Sequence, residues 1–320
     1  MQISESLSAW VAAQLGVSTP HVSPLRAEAS QRRFYRVHAP DTSYVLMDSP
    51  PDLERNDAFV ALAQVFKDAA IPVPEILYAD LQHGWLLMTD LGPTELAQHY
   101  GTETQGQALE RAVTTLVGLS AVRDAQWIPA YDAQRLHMEL GIFGEWFAQG
   151  LLGVALTAPA QSDTLIEAML AQPRGCVHRD YHSRNLLYND RRLGIVDFQD
   201  ALHGPILYDL ASLLHDCYHR FDEPLIDHYL AMYLELHNRA YPQLAIDPDR
   251  ARGWLDFTAI QRQLKAIGIF ARLQLRDAKS THIVYIAPLL ERLVTLCGHY
   301  PELAALHSQL SDLNSRFKDR

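Results

Sequence analysis

The stretch that most constrains this chain is residues 177–200, VHRDYHSRNLLYNDRRLGIVDFQD. Two short apolar runs, residues 186–188 and 193–196, predict paired strands that hold Asp180, Asn185 and Asp197 around one cleft. Two carboxylates and one carboxamide suit phosphoryl transfer. Its loose transition state spreads charge over the phosphoryl oxygens, so catalysis rests on positioning and on neutralisation by a divalent metal, with a carboxylate facing the attacking hydroxyl. Hard Mg²⁺ takes oxygen ligands and keeps several waters, which suits one carboxylate and one amide carbonyl beside nucleotide phosphates.

His178-Arg179-Asp180, then Asn185, then Asp197-Phe198 resembles the protein-kinase series H-R-D, four spacers, N, and D-F-G, with Gln199 where that series has glycine. Together with GPILYDLASLL at residues 204–214, the pattern is similar to the aminoglycoside phosphotransferase superfamily, small-molecule kinases that share the protein-kinase fold. The resemblance implies roles residue by residue. Asp180 is the base that orients and deprotonates the acceptor hydroxyl, and Asn185 and Asp197 are the metal ligands. His182 stands beside the transferring phosphate or makes a structural hydrogen bond. His178 and Arg179 support the loop. Asp209 resembles a buried aspartate that accepts backbone N–H bonds from it, the kind of partner a buried carboxylate requires. Asp200 faces substrate or caps the segment that follows.

Composition narrows the setting. With 320 residues, 48% hydrophobic and 20% charged, the chain has ordinary globular proportions and length for two lobes. A net charge of −11 disfavours the basic patch that nucleic-acid binding requires. It is compatible with a cationic substrate and also serves solubility. Cys176, Cys217 and Cys297 are widely spaced and form no CxxC pair, so neither a disulfide framework nor a zinc site is expected, and a reducing cytoplasm fits. The N-terminal residues lack the basic region of a signal peptide, and no apolar run reaches the ~20 residues of a membrane span.

In chain order, residues 4–15 place Leu7, Trp10, Val11 and Leu15 at helical spacing before Gly16, which predicts a docking helix. Strands are expected at residues 22–28 and 34–38. By the resemblance their joint, residues 29–33, covers the nucleotide phosphates, yet it contains no glycine. Ser30 and backbone N–H groups could cradle phosphate there and Arg32 or Arg33 add charge, unless the joint is a polar hairpin with solvated arginines. The third strand, residues 44–48, holds Met47 where the nucleotide lysine is expected. Either an arginine of the preceding loop replaces it or metal and backbone suffice. Residues 52–69 predict a helix with Leu53, Phe59, Leu62 and Phe66 inward and Asp57 as a candidate partner acid. After the break at residues 71–74 come strands at 75–78 and 84–89. Met88, Asp90 and Leu91 then fall where the resemblance puts the hinge whose backbone binds the adenine edge. Gly92-Pro93 marks a lobe boundary between residues 1–92 and 93–320, which by the resemblance are a nucleotide-binding lobe and a helical lobe that carries the catalytic loop, metal site and acceptor site.

Periodic apolar faces predict helices at 103–122, 132–149, 162–171, 206–217, 224–238, 248–276 and 283–298. Strands first and helices later favour an α+β, two-lobed protein-kinase-like fold, with a small antiparallel sheet lobe before a larger helical one. A Walker-type phosphate loop is absent.

Within the superfamily, SQRRFYRV, VLMDSPP, LLMTDLG, HRDYHSRNLL, VDFQDALHGPILYDL and QRQLKAIGIFARL resemble bacterial anomeric kinases of N-acetylmuramate and N-acetylglucosamine. In that group Met47 and Gln199 are family marks. The resemblance implies ATP as donor, Mg²⁺, a small sugar acceptor and a role in cell-wall recycling. Glu139, Glu145 and Trp146, on one helical segment, suit a sugar, with core packing the alternative for Trp146. From Ile260 onward, Ile260, Leu264, Ile267, Ala271 and Leu275 make an apolar face beside a basic stripe of Arg262, Lys265, Arg272 and Arg276. Lys265 or Arg262 is expected at the N-acetylmuramate carboxylate, or else in a salt bridge to surface acids. An aminoglycoside or other small-alcohol phosphotransferase is the alternative, followed by an inactive nucleotide-binding regulator.

Overall fold

Residues 4–16 carry a full set of helix signals. In the computed structural model, which describes residues 3–25, 31–124 and 126–319, helix α1 (Glu5–Leu15) begins with Ser4 Oγ accepting the Leu7 N–H at 3.2 Å. It ends at Gly16, whose φ of 66° carries no Cβ penalty. Leu7 and Val11 bury against Tyr35, Val37, Leu46 and Leu87. Those four belong to a sheet of β1 (His21–Pro24), β2 (Arg33–His38), β3 (Ser43–Asp48), β4 (Ile76–Asp80) and β5 (Trp85–Thr89). The order is β1-β2-β3-β5-β4, every pair antiparallel. Period-two alternation fixes the register: Tyr35, Leu46 and Leu87 line up on one face, and Phe34, Met47 and Leu86 on the other.

Between β3 and β4 lies α2 (Asn56–Asp68), which buries Phe59, Leu62, Ala63 and Phe66. It starts later than the periodicity indicated. Residues 50–54 form a turn on the Pro50 carbonyl, which leaves Leu53 68% exposed and not inward. Asn56 pins that turn, accepting from Ser49 Oγ at 2.6 Å and donating to the Ser49 carbonyl at 3.0 Å. Gly92 turns the chain with φ 99°, but packing continues through it. Glu95 bridges Leu187, the Tyr188 N–H donates to the Thr94 carbonyl, and α3 (Gln105–Leu119) packs on strand Arg192–Ile195. That strand pairs with Leu186–Asn189 through Asp190 and Arg191, both left-handed (φ 48° and 62°), as a two-residue type I′ hairpin requires. The first compact unit therefore takes in Met1–Trp127 and Ser183–Asp200.

The second unit, Ile128–His182 with Ala201–Arg320, is mainly helical. Its helices are α4 (Ala133–Ile142), α5 (Ser162–Leu170), α6 (Tyr208–Leu214), α7 (Glu223–Ala240), α8 (Pro248–Arg276), α9 (Ile286–Cys297) and α10 (Ala304–Lys318). α8 is the centre, packed by α4 to α7 and α9, and between Trp254 and Lys265 every residue is buried. Beyond Ile142 the α4 helix widens into a π-helical stretch, Phe143–Leu151, that lies on α8. Gly268 permits the contact, because a Cβ there would stand 2.6 Å from the Ile142 carbonyl carbon and 2.7 Å from the Phe143 nitrogen. Gly268→Ala is expected to destabilise by about 1–3 kcal/mol, the overpacking cost exceeding the ~1 kcal/mol that alanine gains as a helix former. Urea unfolding at neutral pH measures it, and a stabilised variant would refute the close approach.

Two features escaped the pattern reading. α10 buries Leu306, Leu310 and Leu313 within an otherwise polar run. Strands Arg174–Val177 and Leu202–Pro205 pair antiparallel but are too short to show alternation. The antiparallel sheet followed by helices is the α+β arrangement expected. Among the described residues no helix is long and apolar enough to cross a membrane.

Candidate active site

In the second unit, strand Arg174–Val177 delivers the chain to the loop that begins at His178. The N–H groups of His178 and Arg179 donate to the Asp209 carboxylate at 2.6 and 2.9 Å, and Asp209 sits 1% exposed in the first turn of α6. Burial pushes the Asp209 carboxyl up, to about 7, against the opposing pull of those two bonds. Arg179 holds φ 77°, a left-handed conformation that a branched chain of bonds must maintain. Its guanidinium donates to Glu139 at 2.6 Å.

Glu139 is a hub. It is 5% exposed and also accepts from Tyr131 Oη, from Lys265 Nζ at 3.0 Å and from Gln261 Nε2 at 3.3 Å. Burial alone would raise its carboxyl, but the charges of Lys265 and Arg179 hold it below the usual range. Glu139 and Lys265, both expected at the sugar, are thus placed as partners of each other, since a buried acid and a buried ammonium each need a counter-charge. Glu145 and Trp146 lie past the α-to-π change at Phe143, the first exposed and the second half-buried, so the three do not share one face of a regular helix.

Asp180 is half-buried. Burial pushes its carboxyl up, yet Lys265, His182, Arg262 and Arg179 outweigh this and lower it to about 2. His182 meets the Tyr218 ring edge-on at 5.5 Å, and Tyr218 meets Tyr285 at 5.0 Å. Arg262 is 7% exposed with its guanidinium 5.4 Å from the Tyr208 ring. Its Nε and Nη1 have no hydrogen-bond partner among the described residues. The expected basic stripe is therefore divided by burial: Arg262 and Lys265 are inside, whereas Arg276 is exposed on Asp277 and Leu275 is 46% exposed.

The first unit carries the other half of the signature. Asp197 holds φ 64°, accepts from Gln199 Nε2 at 2.6 Å and lies 3.3 Å from the Asn185 amide. A carboxylate and an amide whose carbonyl can replace its nitrogen by a ring-free flip are hard oxygen donors of the kind Mg²⁺ takes. Among the described residues no cluster of three His, Cys, Asp or Glu offers a competing site. Asp200 is exposed.

A cavity of about 310 Å³ lies within this unit. Phe34, Val45, Met88, Leu187 and Val196 give it apolar walls, residues 89–93 contribute a further wall, and Asp197 and Gln199 also line it. That size falls at the low end of small-molecule sites, about 300–1,000 Å³. Met88, Asp90 and Leu91 all border it. The Asp90 carboxylate is taken by Arg36 Nε at 2.6 Å, Ser43 Oγ at 2.7 Å and the Gly92 N–H at 3.0 Å. Burial would raise this carboxyl, but the Arg36 and Ser43 bonds lower it. Arg32 is 7% exposed, 3.2 Å from Glu54 and 5.3 Å from the Phe59 ring, whereas Arg33 is exposed. Ser30 lies outside the described residues. Asp57 pairs with Arg55 on the surface, so the acid facing a buried arginine is Glu54, which no periodicity marked because it precedes the helix.

Residues 21–254 match the model of the Phosphotransferase enzyme family, and the chain belongs to that family. It is a phosphotransferase with an alcohol group as acceptor. It is similar to the N-acetylmuramate/N-acetylglucosamine kinase of Pseudomonas aeruginosa, at 36% identity over 296 residues, covering 91% of this chain and 88% of the relative. It is also 35% identical over 298 residues to the kinase of the same name from Neisseria meningitidis serogroup B, covering 90% and 89%. Its fold is similar to that of a choline/ethanolamine kinase family protein from Mesorhizobium loti, with a TM-score of 0.61, 17% identity and coverage of 95% and 99%.

Proposed function

We propose that this enzyme is an ATP-dependent kinase that places the γ-phosphate on the anomeric hydroxyl of N-acetylmuramate and N-acetylglucosamine, in the cytoplasm and as part of cell-wall recycling. The observation that carries the reading is that relatives bearing that kinase name align over about nine tenths of both chains. In this reading Asp180, ionised at neutral pH, orients the acceptor hydroxyl and takes its proton, with His182 beside the transferring phosphate. Asn185 and Asp197 hold Mg²⁺, which when bound neutralises phosphate charge. The segment of Met88, Asp90 and Leu91 receives the adenine through its backbone, since the Asp90 carboxylate is already committed. Arg32 or Arg33 supplies charge to the phosphates, and Ser30, outside the described residues, is a further candidate there. Glu145, Trp146 and Asp200 contact the sugar, while His178, Arg179 and Asp209 support the loop. Glu139 and Lys265 serve the charge balance around Asp180.

The relatives that bear the amino-sugar kinase name favour N-acetylmuramate and N-acetylglucosamine over an aminoglycoside as acceptor. An assay of ATP turnover with both amino sugars and kanamycin, with and without Mg²⁺, tests this. Transfer to the sugars and dependence on Mg²⁺ are expected, and turnover on kanamycin alone would reverse the assignment. Arg262, buried and without a salt bridge among the described residues, is assigned to the acceptor carboxylate. Arg262→Ala is expected to reduce kcat/KM on N-acetylmuramate about tenfold to a hundredfold more than on N-acetylglucosamine, which lacks that group. Equal losses on both sugars would exclude the assignment.

A further inference from the structure

Tyr218, Phe270, His282 and Tyr285 form one cluster of rings in the second unit. All their centroid separations lie between 5.0 Å, for Tyr218 and Tyr285, and 6.4 Å, for His282 and Tyr285. Phe270, on α8, is 5% exposed, whereas the other three are half-buried. Tyr131, Tyr181, Tyr208 and Tyr233 of the same unit are by contrast shut into the core. A closed floor with a partly open rim suits an apolar surface arriving from solvent, and aromatic rings commonly line small-molecule sites.

The elements that supply the rings are held by bonds of their own. The Tyr218 N–H donates to Asp216 Oδ1 at 2.8 Å, and Arg292 of α9 donates to the Asp216 and His219 carbonyls, both at 2.9 Å. The Lys279 N–H donates to the Leu273 carbonyl at 2.9 Å, where the chain turns from α8 into the short helix Ser280–Tyr285. There Thr281 Oγ1 lies 3.0 Å from His282 Nδ1. The cluster adjoins the catalytic loop. His182, edge-on to Tyr218, follows Asp180 by two positions and bears on its carboxylate. Arg262 bears on that carboxylate too, and on Cys217, the residue directly before Tyr218.

We infer that Tyr218, His282 and Tyr285, over the Phe270 floor, form a stacking platform that holds the pyranose ring of the acceptor beside Asp180. The inference rests on the amino-sugar kinase reading and deepens it. The C–H groups on one face of a pyranose are weakly positive and apolar, and they match the negative face of an aromatic ring. Such a platform reads the ring that both sugars share and is indifferent to the carboxylate that distinguishes them.

Steady-state kinetics on the full chain, paired with equilibrium binding of Mg-ATP, test it. Tyr218→Ala and Tyr285→Ala are each expected to raise KM about tenfold for N-acetylmuramate and N-acetylglucosamine alike, with kcat lowered less and Mg-ATP affinity unchanged. Tyr285→Phe, which keeps the ring, should stay within about twofold of wild type. Unchanged KM for sugar in the alanine variants would overturn the inference. Equal losses of sugar and Mg-ATP affinity would do the same, since rings that only brace the fold would produce them. A loss in Tyr285→Phe as large as in Tyr285→Ala would assign the effect to the hydroxyl and also overturn it. Should an alanine variant fail to fold, leucine at that position keeps an apolar side chain without the aromatic face and is read in the same way. Wild-type protein that transfers phosphate to neither sugar would refute the kinase reading itself, whereas wild type and ring variants with the same KM for both sugars would refute only this inference.

Discussion

Replacing Asp180 with asparagine is expected to lower kcat by about 10³-fold on either sugar, within the range that general-base groups contribute, while Mg-ATP still binds. The carboxamide keeps the shape and loses the charge and the proton-accepting oxygen. In the wild type the surrounding cations keep the carboxyl near 2, so it is ionised throughout the neutral range. An acid limb in the kcat/KM profile near neutral pH would then report another group. Steady-state rates paired with nucleotide binding decide the matter. A variant that turned over at the wild-type rate would remove Asp180 from the chemistry.

The largest effect on stability is expected at Glu139. Glu139→Ala leaves the buried Lys265 and the half-buried Arg179 without their shared counter-charge, and breaking a buried pair from one side costs about 3–5 kcal/mol. Tyr131 and Gln261 lose an acceptor as well. Urea unfolding gives the number, and Glu139→Gln, which preserves volume and an acceptor oxygen, should fall between the two. If stability were unchanged and only the KM for sugar rose, Glu139 would belong to the acceptor site and not to the loop's support.

These two residues mark what the sequence could and could not convey. The H-R-D-x4-N and D-F series declared itself because the spacing is local, and the α8 helix was legible from its periodicity to its bounds, residues 248–276. Glu139 and Lys265 are 126 positions apart, and no local pattern tells a buried ion pair from two residues facing a ligand. The spacing alone puts Leu53 inward, because it does not reveal the turn on the Pro50 carbonyl that precedes the helix. Asp57 is marked by the periodic stretch as a candidate acid or a solvated residue, and it is solvated, whereas Glu54 precedes that stretch and carries no such mark. A strand of four residues, such as Arg174–Val177, offers too few alternations to be seen.

With Glu145 and Trp146 proposed at the sugar, the broadened stretch Phe143–Leu151 bears on any attempt to redesign acceptor preference. A π-helical turn holds more residues than an α turn, so by Trp146 the bearing of a side chain has slipped from a regular helical wheel. A library drawn on that wheel would randomise the wrong neighbours. Deleting a single residue in the stretch should restore ordinary winding and swing Trp146 and Glu145 to new bearings without altering either side chain.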